Sequence, residues 1–200
     1  MKINWYGDSC FEISSISKDK ENILTIIDPK EGKKFGKADI ILQTHSLKNE
    51  FKTDEQFVIS ACGEYERKGV FIQGIKSSQV EKKLENIIYT AEIEDIRICH
   101  LGYLGDSNLS EEQIKEIGSI DILMIPINGD KTISHSEAVK IISSIEPSII
   151  IPMCFSKKEL ESFLKAMGEK EIEPKDKLSI QKKNILPVDE KAEIVILEEK

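Results

Sequence analysis

Short apolar runs, broken by clusters of Gly, Asp, Asn and Lys, fill the first hundred residues and carry more Ile and Val than helices favour. They predict strands over Lys2–Tyr6, Ser9–Ile13, Ile23–Asp28, Ala38–Gln43, Phe57–Ser60, Tyr65–Gly74, Ile87–Ile93 and Ile96–Leu101. The pattern then changes period. Ala138, Ile141, Ile142 and Ile145 fall on one helical stripe, and Leu160, Phe163, Leu164 and Met167 on another. Helices are predicted over Ser110–Ile117, Ser134–Ile145 and Ser156–Met167, alternating with strands Ile122–Ile127 and Ile149–Pro152. Each helix opens on Ser followed three residues later by Gln or Glu (Ser110 with Gln113, Ser134 with Glu137, Ser156 with Glu159), the reciprocal cap that satisfies orphan backbone donors. Gly118 and Gly168 stand where helices end, and Pro147 follows the middle one. Beyond Gly168 a charged connector leads to strand-like pieces at Leu178–Gln181, Asn184–Val188 and Ile194–Leu197. A strand-rich first half and an alternating second half point to helices packed on sheet faces.

Composition narrows the class. With 200 residues, 40% hydrophobic and 32% charged, the chain can bury one continuous core and is not of the disordered type. Its 36 acidic against 28 basic residues give a net charge of -8, which repels nucleic acid and anionic membrane surfaces, so neither is expected as a partner. No apolar run approaches the roughly 20 residues of a spanning helix, and no apolar segment follows the opening Met-Lys as in a secretion signal, so a cytoplasmic location is expected. Cys10, Cys62, Cys99 and Cys154 lie far apart without a Cys-x-x-Cys pair, which predicts buried reduced thiols, Cys154 excepted, and not a zinc ribbon or a thioredoxin-like site.

In order along the chain, NWYGDSCFEI, LTIIDP, ADIILQTHSLKNEF, CGEYERKGVFIQGI, IRICHLGYLGD, DILMIPING and EPSIIIPMCF resemble the small stand-alone metallo-beta-lactamase superfamily members related to phosphorylated-ascorbate lactonases. The likeness runs over about residues 1–156. It implies an α+β fold, a four-layer αββα sandwich, formed as a single domain over residues 1–200.

The resemblance also implies a metal site, and there the chain departs from the pattern. Where the family has Thr-His-x-His-x-Asp-His, this chain has Thr44, His45, Ser46, Leu47, Lys48, Asn49 and Glu50, so one histidine survives. Asp8 stands in place of the histidine of Gly-His-Ser, Tyr103 in place of the bridging aspartate, Asp106 in place of the histidine that follows it, and Cys154 in place of the histidine of Pro-Met-His-Tyr. Asp28-Pro29, which in the family buttresses the metal loop, is kept. A two-metal hydrolase holds ions roughly 3.5–4 Å apart and needs anionic ligands against their repulsion; leucine offers no lone pair and a phenol is neutral near pH 7.

The vestigial pocket is therefore expected at Asp8, Asp28, His45, Leu47, Asn49, Glu50, Tyr103, Asp106 and Cys154, with no cofactor. The function expected from this is an inactive binding or structural module for a small molecule or a protein, with a homo-oligomer as one form. Two alternatives stay open: a hydrolase acting on a small ester, lactone or phosphoester through one divalent ion, Zn or Mn, held by Asp8, His45, Glu50 and Cys154, or a metal-free pocket with His45 as base and Tyr103 as acid. His100, inside the strand IRICHL, reads as a hydrogen-bonded strand residue and His135 as exposed.

Overall fold

A computed structural model describes residues 1–46, 57–80, 84–185 and 191–200. In chain order the strands are β1 (Lys2–Trp5), β2 (Phe11–Ile16), β3 (Asn22–Ile27), β4 (Ile40–Leu42), β5 (Phe57–Ile59), β6 (Gly63–Arg67), β7 (Val70–Ser78), β8 (Glu85–Ile93), β9 (Ile96–His100), β10 (Ile122–Pro126), β11 (Ile149–Met153), β12 (Leu178–Ser179) and β13 (Glu193–Ile194). Helix α1 (Glu111–Ile117) joins β9 to β10, α2 (His135–Ile145) joins β10 to β11, and α3 (Lys157–Ala166) follows β11. One sheet runs β12-β1-β2-β3-β4-β5 and the other β13-β11-β10-β9-β8-β7-β6. In the second sheet β13, β11, β10 and β9 pair in parallel, as helical crossovers require, while β9, β8, β7 and β6 are antiparallel. The result is the α+β metallo-beta-lactamase sandwich.

Two apolar layers hold it together. Ile3, Phe11, Ile13, Ile27, Ile40 and Leu42 of the first sheet meet Ile72, Tyr89, Ile96, Ile98, Met124 and Ile151 of the second. Outside the second sheet, Cys99, Leu123, Ile125 and Ile150 receive Ala138, Ile141, Ile142 and Ile145 of α2 and Phe163 and Leu164 of α3. Because β10 and β11 are covered on both faces, they read as unbroken apolar runs instead of alternating ones. On the outer face of the first sheet, Ile26 and Ile41 pack with Ala38 and Phe35 from the segment between β3 and β4. Tyr89, 1% exposed, ties the sheets together by donating its hydroxyl to the carbonyls of Gln43 and Ile59 at 3.2 and 3.1 Å.

Several local expectations need correction. Tyr65–Gly74 is not one strand: Lys68 and Gly69 take left-handed φ values of 53° and 78°, turning the chain into the hairpin of β6 and β7. Around Asn184, Lys182–Asn184 form a short 3-10 turn, and 186–190 lie outside the described residues. The middle helix, by contrast, ends at Ile145 as expected, with Glu146 left-handed at φ 52° before Pro147. Cys62 is exposed, unlike Cys10, Cys99 and Cys154, and His135 is half-buried instead of exposed. No helix among the described residues is long and apolar enough to cross a membrane.

Candidate functional site

Strand order brings five of the proposed residues to one end of the sandwich. Asp8 lies in the β1–β2 turn, Asp28 follows β3, His45 follows β4, Tyr103 follows β9, and Cys154 follows β11. Among the described residues eight other than glycine have positive φ. Five of these lie in hairpin turns or at a helix end (Lys20, Lys68, Glu94, Asp95 and Glu146); the other three are Asp8 (46°), Asp28 (46°) and Cys154 (54°). Such conformations cost of order 1–3 kcal/mol each and gather at functional sites.

Asp28 organises the β4 exit. Its Oδ1 accepts from the Thr44 amide at 2.7 Å and its Oδ2 from the Thr44 hydroxyl at 2.6 Å. The single hydroxyl proton of Thr44 is thereby committed, so the 2.8 Å contact between Thr44 Oγ1 and His45 Nδ1 requires Nδ1 to donate. The lone pair of neutral His45 is then on Nε2. Asp28 Oδ2 is 3.6 Å from Nδ1, with the carboxylate nearly fully buried.

Tyr103 closes over this histidine, its ring centroid 4.4 Å from the imidazole at a 44° tilt. The Tyr103 amide donates to Asn86 Oδ1 at 2.7 Å, and Asn86 is anchored in turn to Ser77 Oγ and the Leu101 carbonyl. At Gly102, φ is +62°, and a Cβ there would sit 2.4 Å from Asn86 Oδ1 and 2.7 Å from Thr44 Cβ, so only glycine lets the two loops touch. His100 completes the junction. The Gly102 amide donates to its Nδ1 at 3.0 Å, which leaves Nε2–H to donate to the Ser9 carbonyl at 3.0 Å. Burial lowers the His100 pKa, so this fully enclosed ring is neutral.

On the other side of Tyr103 a cleft of about 360 Å³ is lined by Asp8, Tyr103, Asn128, Lys131, Cys154 and Phe155, among others. The Asp8 carbonyl accepts from the Trp5 indole at 2.9 Å and from the Cys154 amide at 3.3 Å, while its exposed carboxylate pairs with Lys30 at 3.3 Å. Lys30 also meets Glu199 at 3.2 Å. Trp5 stacks on Phe155 with centroids 5.1 Å apart. Burial, reinforced by Asp8 and Asp28, pushes the Cys154 thiol well up, so it is no thiolate near neutrality. Burial also raises the Tyr103 phenol, with Cys154, Asp8 and Asp28 adding to the effect.

A pair of divalent ions does not fit the donors among the described residues. Asp8 is turned to Lys30, and among the described residues no group of three or more His, Cys, Asp or Glu is placed to hold a metal ion. Leu47, Asn49 and Glu50 lie outside the described residues. Asp106 accepts from the Asn108 amide at 3.0 Å within its own loop and is not among the residues named for the cleft. Sequence reasoning missed Asn86 and Lys30; an asparagine opening the apolar run of β8 was the one local signal for the former.

Comparison with known proteins places this geometry in context. The sequence profile described as "Beta-lactamase superfamily domain" matches residues 2–154. A UPF0173 protein of Pyrococcus furiosus is 28% identical, covering 86% of this chain and 93% of its own, and a UPF0173 protein of Pyrococcus abyssi is 30% identical, covering 76% and 82%. A Thermotoga maritima crystal structure, provisionally described as a Zn-dependent hydrolase of the metallo-beta-lactamase superfamily, superposes with a TM-score of 0.79 at 28% identity, covering 98% of this chain and 97% of that one.

Proposed function

The chain belongs to the family described as Beta-lactamase superfamily domain, and we propose that within it this protein is a metal-independent module that binds a small molecule beside Tyr103 and does not hydrolyse it. One observation carries the reading: Tyr103, which stands at the motif position where the resemblance implies a bridging carboxylate, lies with its ring against the one histidine left of that motif. A neutral phenol there supplies neither the charge nor the ligand that a pair of cations needs. The Lys30-paired Asp8 supports the same reading. The cleft that remains has an aromatic wall, Tyr103 and Phe155, with Asn128 and Lys131 for polar contacts.

Metal analysis of protein purified without chelator, followed by thermal melts with added Zn or Mn, tests this directly. The expected outcome is substoichiometric metal and an unshifted melting temperature. Stoichiometric, tightly held metal would instead establish a rebuilt centre that draws on Asp8, His45, Glu50 and Cys154.

A second reading rests on the Asp28–Thr44–His45 chain. A histidine oriented through Nδ1, with its Nε2 lone pair free, is arranged as a general base, and Tyr103 would be its acid. Ester, lactone and phosphoester turnover that survives chelator and is lost in His45→Ala would support it.

A further inference from the structure

At the opposite end of the sandwich, away from His45, the last residues of β2, the β6–β7 turn and the β8–β9 turn enclose a narrow cavity of about 130 Å³. Its interior is apolar where Ile23, Val70 and Ile93 meet, with one polar exception. Ser15 is 4% exposed, and its hydroxyl has no hydrogen-bond partner among the described residues. The register pairs Ser15 with Ile23, so the hydroxyl is on the inward face that also carries Phe11 and Ile13. Leaving such a group unsatisfied costs of order 1–3 kcal/mol. Ile16 and Phe71, the two most exposed large apolar side chains described at 57% and 56%, both line this cavity.

The nearby charges are already matched. Lys68 pairs with Asp39 at 2.8 Å, and Glu94 takes the Met1 ammonium at 2.6 Å and the Ile16 amide at 2.8 Å. Lys18 against Glu92 and Asp95 leaves the rim one negative charge in excess, which disfavours an anionic ligand.

We propose that this cavity is a second ligand site, for a small neutral molecule with a hydroxyl on an apolar body, such as an alcohol or a phenol. The hydroxyl pairs with Ser15 Oγ, which can both donate and accept. The apolar body lies against Ile23, Val70 and Ile93 and leaves between Ile16 and Phe71. The site is independent of metal and of the function assigned to the His45 end.

Thr25 supplies an internal control. Its Oγ1 is also buried and unpartnered, on the same inward face opposite Ile13, but Thr25 does not line the cavity. The test is a titration of the whole protein with phenol and with benzene, followed by amide chemical shifts. Saturable shifts clustered at Ser15, Val70 and Ile93 are expected, with phenol preferred over benzene. Ser15→Ala keeps the space and should weaken phenol binding about tenfold, the equivalent of one hydrogen bond, and abolish the preference. Thr25→Val should leave phenol binding within about twofold, since Thr25 does not line the cavity. Absence of saturable shifts, equal binding of phenol and benzene by the native protein, or undiminished phenol binding by Ser15→Ala would each overturn the proposal and leave the cavity as a site for ordered water only.

Discussion

Asp28 and His45 are joined through one hydroxyl, that of Thr44, which donates to the carboxylate at 2.6 Å and meets His45 Nδ1 at 2.8 Å. Proton accounting in this chain leaves the neutral imidazole protonated on Nδ1 and bare on Nε2. Long-range proton–nitrogen spectra above pH 8 should show His45 as that tautomer. Thr44→Val should return it toward a mixture of both, and spectra unchanged by the substitution would contradict the chain of donors. Asp28→Asn, which loses a buried acceptor for two donors, should lower stability by about 1–3 kcal/mol in urea titrations.

His100 makes folding pH-dependent. Its pKa is lowered by burial, so the native state binds its proton less readily than the unfolded chain does. Its contribution to stability is therefore complete above the unfolded value, about 6.5. It is lost as pH falls below that, at up to about 1.4 kcal/mol per pH unit until the folded pKa is reached. Protonation would also place a hydrogen on Nδ1 against the Gly102 amide. Phe11, Asp28 and His45 face the ring; Asp28 opposes this fall, and a charged His45 adds to it. Urea unfolding at pH 7.5 and 5.5 should show a smaller loss for His100→Gln than for the native sequence, even though the variant starts less stable.

Two glycines with similar backbones should tolerate alanine very differently. A Cβ on Gly102 (φ +62°) would meet Asn86 and Thr44 at under 3 Å, whereas one on Gly69 (φ +78°) would have nothing within 4 Å. Gly69→Ala should cost the left-handed penalty alone, about 1–2 kcal/mol. Gly102→Ala should cost at least about 1 kcal/mol more, because the contact cannot relax without moving the two loops apart, and it should broaden the Tyr103 and His45 resonances.

Thiol reactivity should separate the cysteines. Cys62 is exposed, although partial burial raises its thiol as well, whereas Cys10 (raised to about 12), Cys99 and Cys154 are buried and raised by that burial. A disulfide reagent should titrate one thiol of the native protein and all four after denaturation. A second fast thiol at Cys154 would show that the cleft activates it.

Loss of the outer apolar layer offers a last check. Phe163, fully buried where α3 meets the second sheet, should cost about 3–5 kcal/mol when replaced by alanine, read as a lower urea midpoint.

Local physics was legible along the chain wherever neighbours in sequence decide it. The helix starts at Ser110 and Ser134 follow from reciprocal caps three residues apart, that at Ser156 from the Glu159 half of the same pairing, and the covered strands β10 and β11 follow from apolar runs too short for helices. The departure of Leu47, Asn49, Tyr103 and Cys154 from a metal-ligand pattern is an expectation drawn from the resemblance to the family motif. Their arrangement needs more. Thr44 belongs to a motif on sight, but its role as the link between Asp28 and His45 depends on β3 and β4 lying parallel and adjacent, a long-range pairing that periodicity cannot express. Asn86 reaches Tyr103 from 17 residues away, and Ser9 reaches His100 from 91. Sequence alone set the capped helices, the strand-rich first half and the alternating second half, since these arise from side-chain chemistry and local backbone preference. Only the tertiary structure decided which polar groups meet, which proton each histidine carries and where Ser15 is left unpartnered, because those depend on how two sheets close over a shared core.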